Sequence, residues 1–318
     1  MRRVLLILSA LALQTAAWAE DFPTRPLKLV VPYAAGGATD IVGRLIAAEM
    51  AKGLGQPIVV ENIVGAGGAI GAEHVARSAP NGYTICLCGT GTLVLNSQVT
   101  PSSRNMADLL MPVVHLVDMP NVIVARSDLP ARNLQELKTM ALKPDAQVTF
   151  GSPGTGGTQH VAGELYASMS GTPLTHVPYK GEMPALNDLA AGHLDLVFST
   201  LSGSVPLIKA GKIKPLAVLS RQRAAVLPDV PTVQESGFKA FEAYNWAGLN
   251  VPIGTSAEVV QKLNAAANEA LSSVTVRQRL QTLMIDPAGG KPDDYARLIS
   301  SDYQKWGAVV KAAGIKVD

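Results

Sequence analysis

The residues best placed for chemistry lie in four glycine-rich turns, each following an apolar run and, for three of them, opening a helical period. The first is Tyr33-Ala34-Ala35-Gly36-Gly37-Ala38-Thr39-Asp40, after the apolar run Leu27–Val31. Pro32 ends that run, and Thr39 or Asp40 is the expected helix cap. The second is Gly65-Ala66-Gly67-Gly68-Ala69-Ile70-Gly71, after a strand ending in Glu61-Asn62, and the third is Gly89-Thr90-Gly91-Thr92. The fourth, Gly151-Ser152-Pro153-Gly154-Thr155-Gly156-Gly157-Thr158, combines glycines with three hydroxyls at Ser152, Thr155 and Thr158. First-turn amides of a helix lack intrahelical partners, and the macrodipole makes that end partly positive. Glycines let a ligand approach those amides, so such turns suit a carboxylate or another anion. Glycine-bearing βα turns also occur with no ligand at all. Tyr179-Lys180-Gly181 closes a further strand, where open α/β sheets place their ligands; Tyr179 is a candidate pocket wall, and Lys180 is either an anion contact or a solvated loop residue.

Other chemistries find little support. Gly65-x-Gly67 fails as a dinucleotide fingerprint because Ile70 stands where glycine is required, and no Lys-Ser/Thr pair follows the fourth turn at Walker spacing. The five histidines show no metal-ligand spacing, and no Gly-x-Ser-x-Gly elbow is present. Ser152 and His160 sit eight residues apart across a loop and a helix start, which does not position them as nucleophile and base. The expectation is therefore no catalytic residue, no metal, no cofactor and no enzyme. Cys86 and Cys88, two apart in one strand, face the same side of a sheet. A disulfide across that spacing is strained, so they read as buried small hydrophobes without a bridge.

The elements that position these turns alternate. Strand-like runs begin at Leu27, Pro57, Tyr83, Val113, Val122, Gln147, Leu174, Asp195 and Lys214, with helical periods between most of them. This order predicts an α/β fold with mostly parallel sheets. After Pro252 the pattern is helical only, with Ser256 as N-cap of the first helix. Breaks after Pro120 and at Leu227-Pro228-Asp229-Val230-Pro231-Thr232 divide the chain into a discontinuous first domain, residues 20–122 plus 241–318, and a second, 123–240. Two crossings make a hinge suited to closing over a ligand. Residues 1–19, with Arg2 and Arg3 before an apolar run and Ala17-Trp18-Ala19 after it, read as a signal peptide cleaved near Ala19. The 27 basic residues less Arg2 and Arg3 balance the 25 acidic ones, which gives no reason to expect nucleic acid or an anionic membrane as partner.

Read together, these blocks resemble the Bug-type solute receptors, the periplasmic binding components of tripartite tricarboxylate transporters. The resemblance rests on Pro32-Tyr33-Ala34-Ala35-Gly36-Gly37 with Asp40, Val60-Glu61-Asn62, Gly65-Ala66-Gly67-Gly68, Asn81-Gly82-Tyr83-Thr84, Gly151-Ser152-x-Gly154-x-Gly156 and Val177-Pro178-Tyr179-Lys180-Gly181. It continues through the proline-rich loop at 227–232 to Trp246-x-Gly248 and Pro252-x-Gly254-Thr255. It implies a two-domain periplasmic binding protein, a type II-like clamshell with ligand between the domains. The ligand would be a small organic acid: a di- or tricarboxylate, an aromatic acid or an amino acid. Carried over, the site would comprise Tyr33, Ala35, Gly36, Gly37, Thr39, Asp40, Asn62, Ala66, Gly67, Thr90 and Gly91 from the first domain. The second would add Ser152, Gly154, Thr155, Gly157, Thr158, Tyr179, Lys180 and Gly181. The family usually has proline where Ala35 stands. A periplasmic monomer that delivers its ligand to membrane transporter subunits, without inserting into the bilayer itself, is the expected setting. A sensory partner or an exported enzyme using the same cleft are the alternatives.

Overall fold

A computed structural model describes residues 22–316 apart from 34, 101, 180, 240 and 242; the predicted signal peptide and Lys180 lie outside the described residues. The strands form two sheets. The first has the order β11-β4-β10-β3-β1-β2 and the second β7-β6-β8-β5-β9. They are β1 Leu27–Val31, β2 Ile58–Asn62, β3 Thr84–Gly89, β4 Leu110–Met119, β5 Asn121–Arg126, β6 Thr149–Ser152, β7 Thr175–Pro178, β8 Leu196–Thr200, β9 Ile213–Val218, β10 Asn245–Pro252 and β11 Asp286–Pro287.

In each sheet four strands run one way: β1 to β4 in the first, β6 to β9 in the second. Against them run β10 and β11 in one sheet and β5 in the other. The reversal follows from the path of the chain. It leaves β4 through Pro120 directly into β5, and it returns from β9 to β10, so the first strand after each crossing enters its new sheet head-on. β10 and β5 each sit between two strands that run the other way, and β11 lies at an edge, so both sheets are mixed.

Among the described residues ten α-helices cover the sheets: α1 Ala38–Leu54, α2 Ala69–Ala76, α3 Asn96–Val99, α4 Leu134–Ala141, α5 Thr158–Ser170, α6 Glu182–Ala190, α7 Leu201–Lys209, α8 Ala257–Ser272, α9 Val274–Thr282 and α10 Pro292–Ala313. Strands buried on both faces need continuous apolar sequence, and β5, Asn-Val-Ile-Val-Ala-Arg, is buried in all but its last residue. One apolar cluster joins both sheets: Cys86 and Trp246 of the first and Tyr295 of α10 share it with Phe150 and Phe198 of the second and Tyr166 of α5. The amphipathic α10 closes it by packing against α5 across the boundary. The proline-punctuated loop remains with the second sheet, where Thr232 bridges to Val218.

Two expectations are corrected. Cys86 and Cys88 form a disulfide, with Cα atoms 5.4 Å apart, inside the range a bridge can span. Their shared face is as expected, and both side chains are fully buried there; it is this side-by-side placement on one face that brings the two sulfurs into bonding contact. Helix α1 is capped by neither Thr39 nor Asp40. It starts at Ala38 with Gly37 as N-cap, and Asp40 instead reaches back from inside the first turn to accept the Gly36 N–H at 2.9 Å.

Candidate ligand-binding site

In the first sheet, the β1–α1 turn is held from behind. The buried Asp40 carboxylate accepts from Gly36 N, from Arg44 Nε at 3.0 Å and from Asn62 Nδ2 at 2.8 Å. The Arg44 contact comes first among the causes that hold Asp40 down to about 2. Asn62 also donates to the Tyr33 carbonyl at 3.0 Å and accepts from Arg44 Nη2 at 2.9 Å, so its amide is spent on the turn. Tyr33 Oη meets Thr92 Oγ1 at 2.7 Å, and burial pushes the phenol pKa up. Ala35, Gly36 and Gly37 are left exposed.

The turn at residues 65–68 has positive φ at every position, including +46° at Ala66. That is a conformation L-residues rarely hold, and two side chains from the next segment secure it. Asn96 Nδ2 donates to the Ala66 carbonyl at 2.6 Å, and Thr92 Oγ1 donates to the Gly67 carbonyl at 3.3 Å. A Cβ at Gly68 would lie 2.3 Å from Thr92 Oγ1, so glycine is required there by contact as well as by φ. Thr92 lies in a π-helical stretch, Gly91–Leu95, and Asn96 opens α3 directly after it. Thr90 is buried, and its hydroxyl accepts from the Trp246 amide at 3.2 Å.

The second sheet repeats the first turn. Gly36 and Gly37 have φ +81° and φ −74°, ψ 166°; Gly156 and Gly157 have φ +77° and φ −73°, ψ 165°. Where Asp40 accepts from Gly36, His160 Nδ1 accepts from Gly156 N at 3.0 Å. The His160 ring stacks on His176, centroids 3.7 Å apart, and His176 Nε2 meets Ser152 Oγ at 2.7 Å. Burial, then the neighbouring His160, hold His176 down to about 4. Ser152 is fully buried, so this Ser–His contact faces inward and does not present a nucleophile. Tyr179 and Gly181 donate backbone bonds to Ser152 and Pro153 carbonyls, joining the two loops. The Tyr179 hydroxyl itself is turned to Asp188 at 2.7 Å; burial, then Asp188, push its pKa up to about 12.

Among the described residues, eight of the ten helix starts fall into two groups. Helices α4, α7, α8 and α9 are capped by their own Asn133, Thr200, Ser256 and Ser273 side chains. Helices α1, α2, α5 and α6 start on Gly37, Gly68, Gly157 and Gly181, with no side-chain cap. Ordinary helices satisfy first-turn amides locally. These four leave them to whatever occupies the strand ends.

A cleft of about 610 Å³ joins the two sheets. Its wall contains Ala66, Gly67 and Gly91 from the first-sheet side, and Gly154, Thr155 and Gly157 from the other. The cleft therefore brings together six of the residues singled out in the sequence. Tyr33, Ala35, Gly36, Gly37, Thr39, Asp40, Asn62 and Thr90 are not on that wall, nor are Ser152, Thr158, Tyr179 and Gly181. Ser152 supports it from behind by donating to the Gly154 carbonyl at 3.0 Å, whereas Asp40 and Asn62 hold the first turn, which lies off that wall. Of the three hydroxyls in the fourth turn, Thr155 alone is exposed. Sequence reasoning missed Asn96, Gln159 and Arg104 on the wall, and the His160–His176 pair beneath it. The matched spacing Gly36-Gly37-x-x-Asp40 and Gly156-Gly157-x-x-His160 was a readable signal for His160; the π-helical stretch that places Asn96 carries none.

Two α/β sheets crossed twice by the chain, with glycine-started helices at a shared cleft, define a periplasmic binding protein. Solved structures agree. The Rpa4515 protein of R. palustris, solved with adipate, superposes with TM-score 0.82 at 35% identity, covering 93% of this chain and 99% of that one. MatC of Rhodopseudomonas palustris, solved with bound malate, gives TM-score 0.78 at 36% identity, covering 91% and 100%. Residues 42–315 match the profile of the tripartite tricarboxylate transporter family receptor, and the chain belongs to that family. The protein BugT of Bordetella pertussis is 33% identical over 301 residues, covering 94% of this chain and 92% of its own. The family and the matched structures are binding proteins. Among the described residues no helix is long and apolar enough to cross a membrane.

Proposed function

We propose that this receptor captures a small organic carboxylate in the cleft and presents it to the membrane components of its transporter. The observation that carries this reading is the division of helix starts. Helices α4, α7, α8 and α9 are capped by their own side chains and contribute nothing to the cleft wall, whereas the helix behind Gly154–Gly157 opens onto it through glycine and no capping side chain. Each such terminus stabilises an anion by about 0.3–1 kcal/mol when exposed and up to about 2 when partly buried. Micromolar affinity needs about −8 kcal/mol. Several amides, Thr155 and polar wall groups such as Asn96 and Gln159 must therefore act together. Adipate and malate in the related structures support the ligand class.

In this reading the moving units are residues 20–122 with 241–318 and residues 123–240. Closure brings the exposed Gly36–Gly37 turn, with Tyr33, toward the ligand. Cleavage near Ala19 releases the mature receptor into the periplasm as a monomer, and the ligand passes through chemically unchanged. A thermal-shift screen of the mature chain against organic acids and their neutral amide analogues tests the proposal. An acid at one hundred times its dissociation constant should stabilise by about 2.7 kcal/mol, and the neutral analogue should not. Stabilisation by neutral compounds alone, or recovery of altered ligand, would sink it.

A further inference from the structure

The turns at Gly36–Gly37 and Gly156–Gly157 share more than their backbone angles. In each, the residue four positions after the first glycine accepts that glycine's N–H, through Asp40 Oδ2 at 2.9 Å and His160 Nδ1 at 3.0 Å. In each, that acceptor meets a charged partner a further four residues on. Asp40 Oδ2 accepts from Arg44 Nε at 3.0 Å, whereas His160 turns Nε2 toward Glu164 Oε1 at 3.6 Å. The support has one geometry and two opposite charge patterns.

The difference matters because of where protons sit. A carboxylate accepts through either oxygen, but a neutral imidazole accepts only at the nitrogen that carries no proton. With Nδ1 accepting from Gly156, the ring proton stands on Nε2, facing Glu164. The reversed tautomer would set a lone pair against the carboxylate and one N–H against another, and both contacts are repulsive. Among the described residues no other ion pair reaches this ring, which is buried. His176 stacks on its face and turns its own Nε2 to Ser152, whose hydroxyl donates to the Gly154 carbonyl. Glu164 is thus the group that fixes which nitrogen of His160 accepts. Gly156 and Gly157 line the cleft, and neither His160 nor Glu164 is on its wall.

We propose that His160 and Glu164 are positioning residues for ligand binding: Glu164 holds His160 in the tautomer that fixes Gly156, and so sets the amides that the fourth turn presents to the cleft. This rests on the carboxylate-receptor reading above. Charge alone would have E164R strengthen binding, since an anion beneath the site becomes a cation. The tautomer gives the opposite sign, because an arginine beside Nε2 draws the lone pair to that nitrogen and leaves the proton on Nδ1. Titration calorimetry at about pH 8, where imidazoles are neutral, separates the two. The probe is the acid that raises the melting temperature furthest in the screen above, malate and adipate included. E164R and H160L should each lower its affinity about tenfold. H160D should lose at least as much, since it sets a second carboxylate four residues from Glu164. H160D/E164R rebuilds the Asp40–Arg44 arrangement and should recover most of what either single variant loses. Side-chain nitrogen NMR should show His160 protonated on Nε2 in wild type and on Nδ1 in E164R. Affinity in E164R at or above that of wild type, no recovery in H160D/E164R, or a wild-type proton on Nδ1 overturns the proposal and leaves the receptor reading standing. Weaker binding in E164R with the tautomer unchanged overturns the part given to Glu164. A wild type that no acid stabilises removes the receptor reading and the role of this pair with it.

Discussion

Asp40 and His160 occupy the same place in two copies of one turn, each accepting a backbone N–H four residues before it. Asp40 is an anion kept so by Arg44 and Asn62, whereas His160 must present an unprotonated Nδ1 to accept. Beside it His176 is held neutral, faced by His160 and Glu164 from α5 and by Ser152 and Phe150 from β6. The folded pKa of His176, about 4, lies below the unfolded value near 6.5. The unfolded chain therefore takes up a proton first as pH falls. The contribution of His176 is complete above about pH 6.5 and is lost progressively down to about 4, by up to about 3 kcal/mol. Urea midpoints measured across that interval should fall more steeply for wild type than for His176→Gln; equal slopes would assign the acid sensitivity to other groups. The glycines of these turns were legible in sequence, and positive φ accounts for Gly36 and Gly156. The support from His176 and Asn96 was not, since each reaches its partner from a different element.

At the scale of elements, the helix terminus behind Gly157 is the feature on which the proposed site depends. Gly157 has an ordinary φ of −73°, and an added Cβ would meet the Gly154 carbonyl at 3.7 Å, a normal contact. Gly157→Asp should therefore fold and place a like charge beside the bound carboxylate. Carboxylate affinity should drop at least about tenfold, with the unliganded melting temperature little changed. Unchanged affinity by titration calorimetry would take this turn out of the site. The same scale shows where pattern reading stopped. Strand-helix alternation located nearly every element to within a few residues, because period and breakers act locally. The π-helical stretch Gly91–Leu95 was invisible, because Thr92 and Asn96 are directed by contacts to the Gly67 and Ala66 carbonyls.

For the whole molecule, the shared apolar cluster matters more than the two-sheet division. Trp246 of β10 donates its indole N–H to Asp302 of α10 at 2.7 Å, both side chains buried, and α10 packs on α5 of the other sheet. Asp302→Ala would leave that indole donor unpaired, at a cost of about 1–3 kcal/mol. The loss should lower a single unfolding transition as a whole, with carboxylate binding retained; two separate transitions by calorimetry would show that the lobes melt independently. The α/β class, the order of elements and the anion-suited turns were determined by the chain itself, since glycine, proline and apolar period act over a few residues. The tertiary structure alone decided which turns share the cleft, that Arg104 joins them, and that β5 and β10 run against their neighbours. Those outcomes depend on where the chain crosses between sheets and on which side chains then meet, and no local pattern records either.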